Sequence, residues 1–246
     1  MYLQDYLVFL VAVLACSLFA MIASGKVRRA YSEYSDVPSM SGASGYDVAM
    51  RLMRQNGVND IDVDCIDGEL TDHYSPADGI VNLSSGTYHG RTIAAAAVAA
   101  HEIGHVMQRE TGYAPYRWRT ALVPIVNFGS RLSMPLVFIG ILLDSFVRSV
   151  SPDLGFHVAM IGVILYGGSF LFALVTLPVE LDASRRAGNM LVDAGIVARD
   201  ELPGVRKVLS AAALTYVASL LTSLVYFLRF LVYVLSIFGR RDSRRR

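Results

Sequence analysis

The chain is poor in cysteine and in charge, and both shortages restrict what it can be. Two cysteines stand in 246 residues, Cys16 in an apolar block and Cys65 in a polar stretch, so no disulfide framework is implied. Cys65 has neither a His nor a second Cys beside it and reads as a buried structural thiol. The formal net charge is +1, and the arginines are spread over loops and helix ends, so there is no basic patch for a nucleic acid. Charged residues make up only 17% of the chain against 54% apolar ones, and the mean hydropathy of +0.44 is too high for an ordinary soluble protein. No small-residue cleavage site follows a basic N-terminal region, so the opening apolar stretch is expected to be a retained anchor rather than a signal peptide.

What is abundant is concentrated in blocks. Tyr2 to Ser24, about Ala121 to Leu143, Phe156 to Pro178 and Ser210 to Phe238 are each long enough to cross a hydrocarbon core of about 30 Å. Lys26, Arg28 and Arg29 follow the first block, whereas nothing before it is basic, so the positive-inside rule places residues from Lys26 onward in the cytoplasm. In the second block Arg131 is costly in lipid. Either the span begins later, with residues 121–131 at the interface or on the polar domain, or Arg131 is a functional buried charge. Pro152 and Asp153 mark a short loop, and Gly162, Gly167 and Gly168 suit close helix packing in the block that returns. A fourth crossing would put the tail Gly239 to Arg246, rich in arginine, outside, against the same rule. The Ala-rich start of the last block is therefore expected to pack on the polar domain, leaving Leu224 to Phe238 short or re-entrant and the tail as an orientation signal or a contact to anionic lipid.

Between the first two blocks, Ser32 to Gly45 reads as a connector. Val48, Leu52 and Met53 share one face of a short helix over Tyr46 to Gln55, stopped at Asn56-Gly57. Ile61, Val63 and Cys65 alternate with more polar neighbours, and Ile80 to Ser84 gives a second short strand, which predicts a hairpin or small sheet. An extended peptide can pair with such an edge by main-chain hydrogen bonds.

A helix then runs from an N-cap near Thr92 to near Gly112, and on it lies His101-Glu102-Ile103-Gly104-His105. Positions i and i+4 share a helix face, so His101 and His105 can offer two imidazole nitrogens to one metal ion with Glu102 beside them. Two of only five histidines fall at this spacing. The charged run from His101 to Glu110 cuts the apolar part far short of the roughly 20 residues a crossing needs, which excludes an intramembrane HExxH. After the third block comes Pro178-Val179-Glu180-Leu181-Asp182-Ala183-Ser184-Arg185-Arg186-Ala187, which reads as a helix start with Pro and acids in its first turn. Two spans separate it from the first motif, so it lies on the same side and can supply a carboxylate as third metal ligand. Three protein ligands leave a position for water, whose proton an adjacent carboxylate can take as the water attacks a carbonyl; peptide hydrolysis fits this set.

His101-Glu102-Ile103-Gly104-His105-Val106-Met107-Gln108, the second motif from Glu180 to Ala187 and the upstream Leu70-Thr71-Asp72-His73-Tyr74-Ser75-Pro76 together resemble the bacterial YugP-type neutral zinc metallopeptidases, which are similar in pattern to HtpX-like proteases. The similarity covers nearly the whole chain. It implies zinc held by His101, His105 and Glu180, with Glu102 as general base. HtpX-like proteins carry Asp four residues after the ligand Glu; here Ser184 stands there and Asp182 lies nearby, and which of the two supports the ligands is open. Asp72, His73, Arg185 and Tyr216 are candidates for contact with the substrate or the transition state.

The expectation is a mostly α membrane protein with transmembrane helices and a small α+β gluzincin-like zinc domain carrying the HExxH helix. Residues 1–25 form the anchor, 26–120 the zinc-peptidase domain, 121–178 a transmembrane hairpin, 179–209 the helix with the third ligand and 210–246 the C-terminal apolar helix or helices with the basic tail. The implied function is a zinc metalloendopeptidase at the bacterial plasma membrane, active on the cytoplasmic side, with membrane or membrane-proximal polypeptides as substrates, the bilayer as partner and no nucleic acid. The alternative is a non-catalytic adaptor or assembly factor that keeps zinc for structure, and the zinc environment separates the two, since a structural site is closed by four protein ligands. Only Arg131 and Asp144 speak for a transporter.

Overall fold

A computed structural model describes residues 2–146, 151 and 153–242. Among them are seven helices and three strands: α1 (Tyr2–Ser35), α2 (Gly45–Gln55), β1 (Asp62–Ile66), β2 (His73–Ser75), β3 (Ile80–Ser84), α3 (Ser85–His89), α4 (Ile93–Glu110), α5 (Ala114–Phe146), α6 (Leu154–Asp193) and α7 (Leu202–Asp242). Four of them, α1, α5, α6 and α7, are long and apolar enough to cross a membrane. The chain is mostly helical, and contacts divide it into two units, one of residues 1–19, 117–176 and 217–246 and one of residues 20–116 and 177–216.

The first unit is built from apolar helix segments. Val137, Ala159, Val163 and Val234 form its buried centre, with Phe227 and Phe230 packed against them. Gly162 is where α5 and α6 meet: a Cβ there would stand 2.6 Å from the Ser133 carbonyl oxygen, so only glycine allows this approach.

In the second unit each element is explained by its residues. α2 begins at a capping box, in which the Ser44 side chain accepts from the Asp47 N–H and the Asp47 carboxylate accepts from the Ser44 N–H. It buries Val48, Leu52 and Met53 as the 3.6-residue period requires, and stops at Asn56. The sheet has the order β1-β3-β2, with β1 parallel and β2 antiparallel to β3. Central β3 buries Val81 and Leu83, whereas β1, on an edge, buries only Val63. The expectation of a buried Cys65 is corrected: the thiol is exposed, although it shares a strand face with buried Val63, because it stands near the end of an edge strand with a neighbour on one side only. α4 is capped by Thr92, whose side chain accepts from the Ala95 N–H at 3.3 Å. Its alanines, Ala94 to Ala97 with Ala99 and Ala100, are buried and bring neighbouring helices close.

The long helices differ from the sequence reading. α1 continues ten residues beyond Gly25, to Ser35, because Lys26 to Ala30 are good helix formers and Ala30 and Tyr31 are buried. α5 is one continuous helix through Pro124 and Pro135. No helix starts at Pro178, which lies inside α6. A mid-helix proline costs about 3 kcal/mol, yet Val179, Ala183, Ala187 and Leu191 follow at four-residue spacing, all fully buried, and keep the helix running. α7 has no re-entrant break: the Ala-rich start, with Val208, Leu209 and Ala211 buried, and Leu224 to Phe238 form one helix. Pro152, Arg148 and residues 243–246 of the basic tail lie outside the described residues.

Candidate metal centre

Gly104 sets the distance between the two helices that build the site. A Cβ at this position would sit 2.6 Å from the Ala183 carbonyl oxygen, so α4 and α6 are in backbone contact at the middle of the HExxH segment. This brings two motifs almost 80 residues apart in sequence onto each other. One ligand atom each from His101, His105 and Glu180 lie within 4.8 Å of one another. The Glu180 Oε2 is 3.2 Å from His101 Nε2 and 3.5 Å from His105 Nε2, and the Glu180 side chain is 2% exposed.

The far side of each imidazole is also held. Ser184, one turn after Glu180 on the same face of α6, places its Oγ 3.3 Å from His101 Nδ1. His105 Nδ1 lies 3.1 Å from the Oε1 of Gln108, a fully buried side chain one turn along α4. Gln108 Nε2 donates to the Val179 carbonyl at 2.7 Å and to Asp182 Oδ2 at 3.0 Å. Asp182 is the acceptor of Arg185 and Arg186, an ion-paired carboxylate with no proton to give. With both of its amide hydrogens committed to acceptors, Gln108 presents Oε1 to His105, and His105 Nδ1 must carry the hydrogen. In the neutral ring Nε2 is then a bare lone pair aimed at a carboxylate oxygen, and two acceptors at 3.5 Å repel unless a cation or a proton stands between them. The donor set of two imidazoles and one carboxylate, each imidazole fixed through its other nitrogen, fits a zinc ion.

Glu102 is buried beside this set, close to the backbone N–H of Tyr74 on the edge strand β2. Burial pushes its carboxyl up to about 7, with Glu180 and Asp72 adding to the rise while His101 and the Tyr74 N–H oppose it.

The other candidates separate. Asp72 and Tyr216 line a cavity together with His101 and Glu102. His73 is exposed and bonded within the strands, Nδ1 to the Thr71 carbonyl at 2.9 Å and Nε2 to the Asn82 amide at 3.2 Å, so it knits β2 to β3. Arg185 pairs with Asp182 and is 73% exposed. Ser184 and Asp182 do not compete for one role: the first stands at His101 and the second reaches His105 through Gln108. Sequence reasoning passed over Gln108 and Gly104. Gln108 was visible as the residue three after His105 on one helix face, and Gly104 as the glycine in a run of helix formers.

No solved structure matches this chain. The protein named "Putative membrane protease YugP" from Bacillus subtilis (strain 168) is 40% identical over 233 residues, covering 95% of this chain and 97% of the relative. Residues 8–235 match the family described as "Putative neutral zinc metallopeptidase". With the HExxH helix, the facing Glu180 and four helices fit for a membrane, the chain belongs to that family of YugP-type membrane zinc peptidases.

Proposed function

We propose that this protein is a zinc-dependent endopeptidase anchored in the bacterial plasma membrane, with His101, His105 and Glu180 as metal ligands and Glu102 as general base. The observation that carries the reading is the convergence of His101, His105 and Glu180 within 4.8 Å beside a carboxyl raised to about 7. Zinc bound there would act as a Lewis acid, making water nucleophilic at neutral pH and polarising a carbonyl. Two histidines of HExxH with a glutamate from a later helix make the gluzincin type of donor set.

The remaining chemistry belongs to the chain. Glu102 can take a proton from the attacking water on its carboxylate and return it to the leaving amine, which contributes about 10²–10⁴-fold to such reactions. Gln108 and Ser184 hold the imidazoles so that the ligand nitrogens do not turn away. The edge of β2 supplies alignment. Tyr74 already directs its N–H at Glu102, so an extended polypeptide added along this edge would run past the base.

The same reading places the site on the cytoplasmic face, because Lys26, Arg28 and Arg29 follow the apolar part of α1 and no Lys or Arg precedes it. The substrates proposed are membrane or membrane-proximal polypeptides.

The test is hydrolysis by full-length protein purified in detergent with zinc, compared with Glu102→Gln. The variant should keep its zinc and lose cleavage by at least about 10²-fold. Equal cleavage by both removes Glu102 as base, and zinc retention without cleavage by either turns the reading into that of a structural zinc fold.

A further inference from the structure

A cavity of about 260 Å³ opens directly against His101 and Glu102. Its walls come from three helices and a loop: Val27 and Tyr31 of α1, Val98 of α4, Val208 and Ala212 of α7, and Leu70 before β2. Aliphatic groups dominate it. Apart from His101 and Glu102, Asp72 is the one ionisable carboxylate in the lining, and it is turned to the strand: Oδ1 accepts the Ser84 N–H at 2.8 Å, and the Ser84 hydroxyl lies 3.0 Å from Oδ2. We propose that this cavity is the specificity pocket of the enzyme and takes a large uncharged apolar side chain, of the leucine, methionine or phenylalanine kind, from the residue flanking the scissile bond.

The inference rests on the peptidase reading and adds the substrate class. Size supports it, since an apolar cavity of about 150 Å³ already holds a benzene ring, so 260 Å³ accommodates any of these side chains with room to enter. Chemistry supports it as well. Filling an apolar pocket gains about 1.5–3 kcal/mol for such a side chain, whereas a charged side chain would be stripped of water among Val27, Val98 and Val208, and the one carboxylate in the lining besides the base, Asp72, is already engaged by Ser84. Adjacency makes it a specificity pocket rather than a distant void, because the base itself forms part of the lining.

Two plugs from opposite walls provide the test. Ala212 is partly exposed to the cavity on α7, and Val27 faces it from α1. Full-length, zinc-loaded wild type, Ala212→Phe and Val27→Phe in detergent are each given a pool of peptides of randomised sequence, and the cleaved positions are read by mass spectrometry. Wild type should show one position next to the cut bond enriched in Leu, Met and Phe and depleted in Asp, Glu, Lys and Arg. In both plugged variants that position should move to Gly, Ala and Ser, with kcat/KM for the large residues falling about 10–200-fold. An unchanged preference in both variants, or no preference or a basic preference in wild type, overturns the proposal. Retention of the uncleaved pool on zinc-loaded Glu102→Gln, with and without Ala212→Phe, reads the pocket without turnover. Loss of the Leu, Met and Phe peptides on plugging supports the pocket even if wild type cleaves nothing, a result that would count against the peptidase reading alone; retention unaffected by plugging counts against the pocket.

Discussion

Replacing Gln108 by Leu should weaken zinc binding without touching any proposed ligand. Leu keeps most of the volume of a side chain that is fully buried, so the helix packing is retained. What disappears is the acceptor at 3.1 Å from His105 Nδ1 and the two donations, to the Val179 carbonyl and Asp182 Oδ2. Without the acceptor, His105 is free to hold its hydrogen on either nitrogen and to turn about its side-chain bonds. Loss of such a partner typically costs about 10–100-fold in metal affinity, which is about 1.4–2.8 kcal/mol at the factor of ten per 1.4 kcal/mol. The two lost donations add a separate cost to stability of about 0.5–1.5 kcal/mol each, shared by the zinc-free and zinc-loaded protein, since Asp182 Oδ2 keeps Arg186 and the Val179 carbonyl keeps its place in α6.

The two effects are separable by experiment. Zinc affinity is measured by competition with a chromophoric chelator, and stability by thermal unfolding of the metal-free protein in detergent. The expected result is a rise of about 10–100-fold in the zinc Kd together with a lower melting temperature. A folded Gln108→Leu protein that binds zinc as tightly as wild type would refute the assignment of the His105 hydrogen to Nδ1.

Three further outcomes follow from the same geometry. Glu180→Ala should lose zinc affinity and activity together, whereas Asp182→Ala should retain zinc with a smaller loss, because Asp182 reaches His105 only through Gln108; metal analysis of the two purified variants decides it, and the reverse order overturns the ligand set. Gly104→Ala puts a Cβ 2.6 Å from the Ala183 carbonyl oxygen, so α4 and α6 must separate, at about 1–3 kcal/mol of stability and with weaker zinc binding; an unaltered melting temperature and Kd would show the helices are not in contact. In the metal-free protein, burial raises Glu102 to about 7 from the ordinary 4.5, so between these values the folded chain holds a proton that the unfolded chain has released. Stability therefore falls as pH rises through that window, by at most about 3 kcal/mol, and Glu102→Gln should flatten the melting-temperature profile; parallel profiles for variant and wild type would contradict the buried carboxyl.

The parts of this architecture that follow local rules were legible in the sequence. The HExxH pair needs only helical periodicity, α2 only its apolar stripe and stop signal, and the four apolar blocks only their length. Gln108 and Gly104 were not read in these roles, and Ser184 only as one of two alternatives, because each acts through a contact between α4 and α6, and sequence periodicity says which face a residue is on but not what that face meets. The proline at 178 misled for a different reason. A proline is a local signal, and buried residues spaced along α6 outweighed it. Cys65 shows the converse: alternation marked the strand correctly and put Cys65 on the face of Val63, but only the fold shows that burial ends at Val63 on this edge strand.

Sidedness is where two sequence signals oppose each other, and the continuity of α7 sharpens the conflict. Four crossings place both termini on one face, so the Lys26, Arg28 and Arg29 cluster and the arginine tail cannot both lie inside. Basic residues near the ends of the apolar segments decide between them. By chain order alone, with all four candidate spans crossing, the segments on the HExxH side carry Lys26, Arg28, Arg29, Arg117, Arg119, Arg185, Arg186, Arg199, Arg206 and Lys207, ten in all, and those on the other side Arg148, Arg240, Arg241, Arg244, Arg245 and Arg246, six. The larger number, together with the usual dominance of the first helix, supports the proposal of a cytoplasmic zinc site. A cysteine introduced at Gly90 of a Cys16→Ser/Cys65→Ser background should then resist a membrane-impermeant thiol reagent in intact cells, while one at Pro152 should react. Labelling at position 90 but not at 152 would place the tail inside, move the catalytic face to the exterior, and restrict the substrates to segments exposed there.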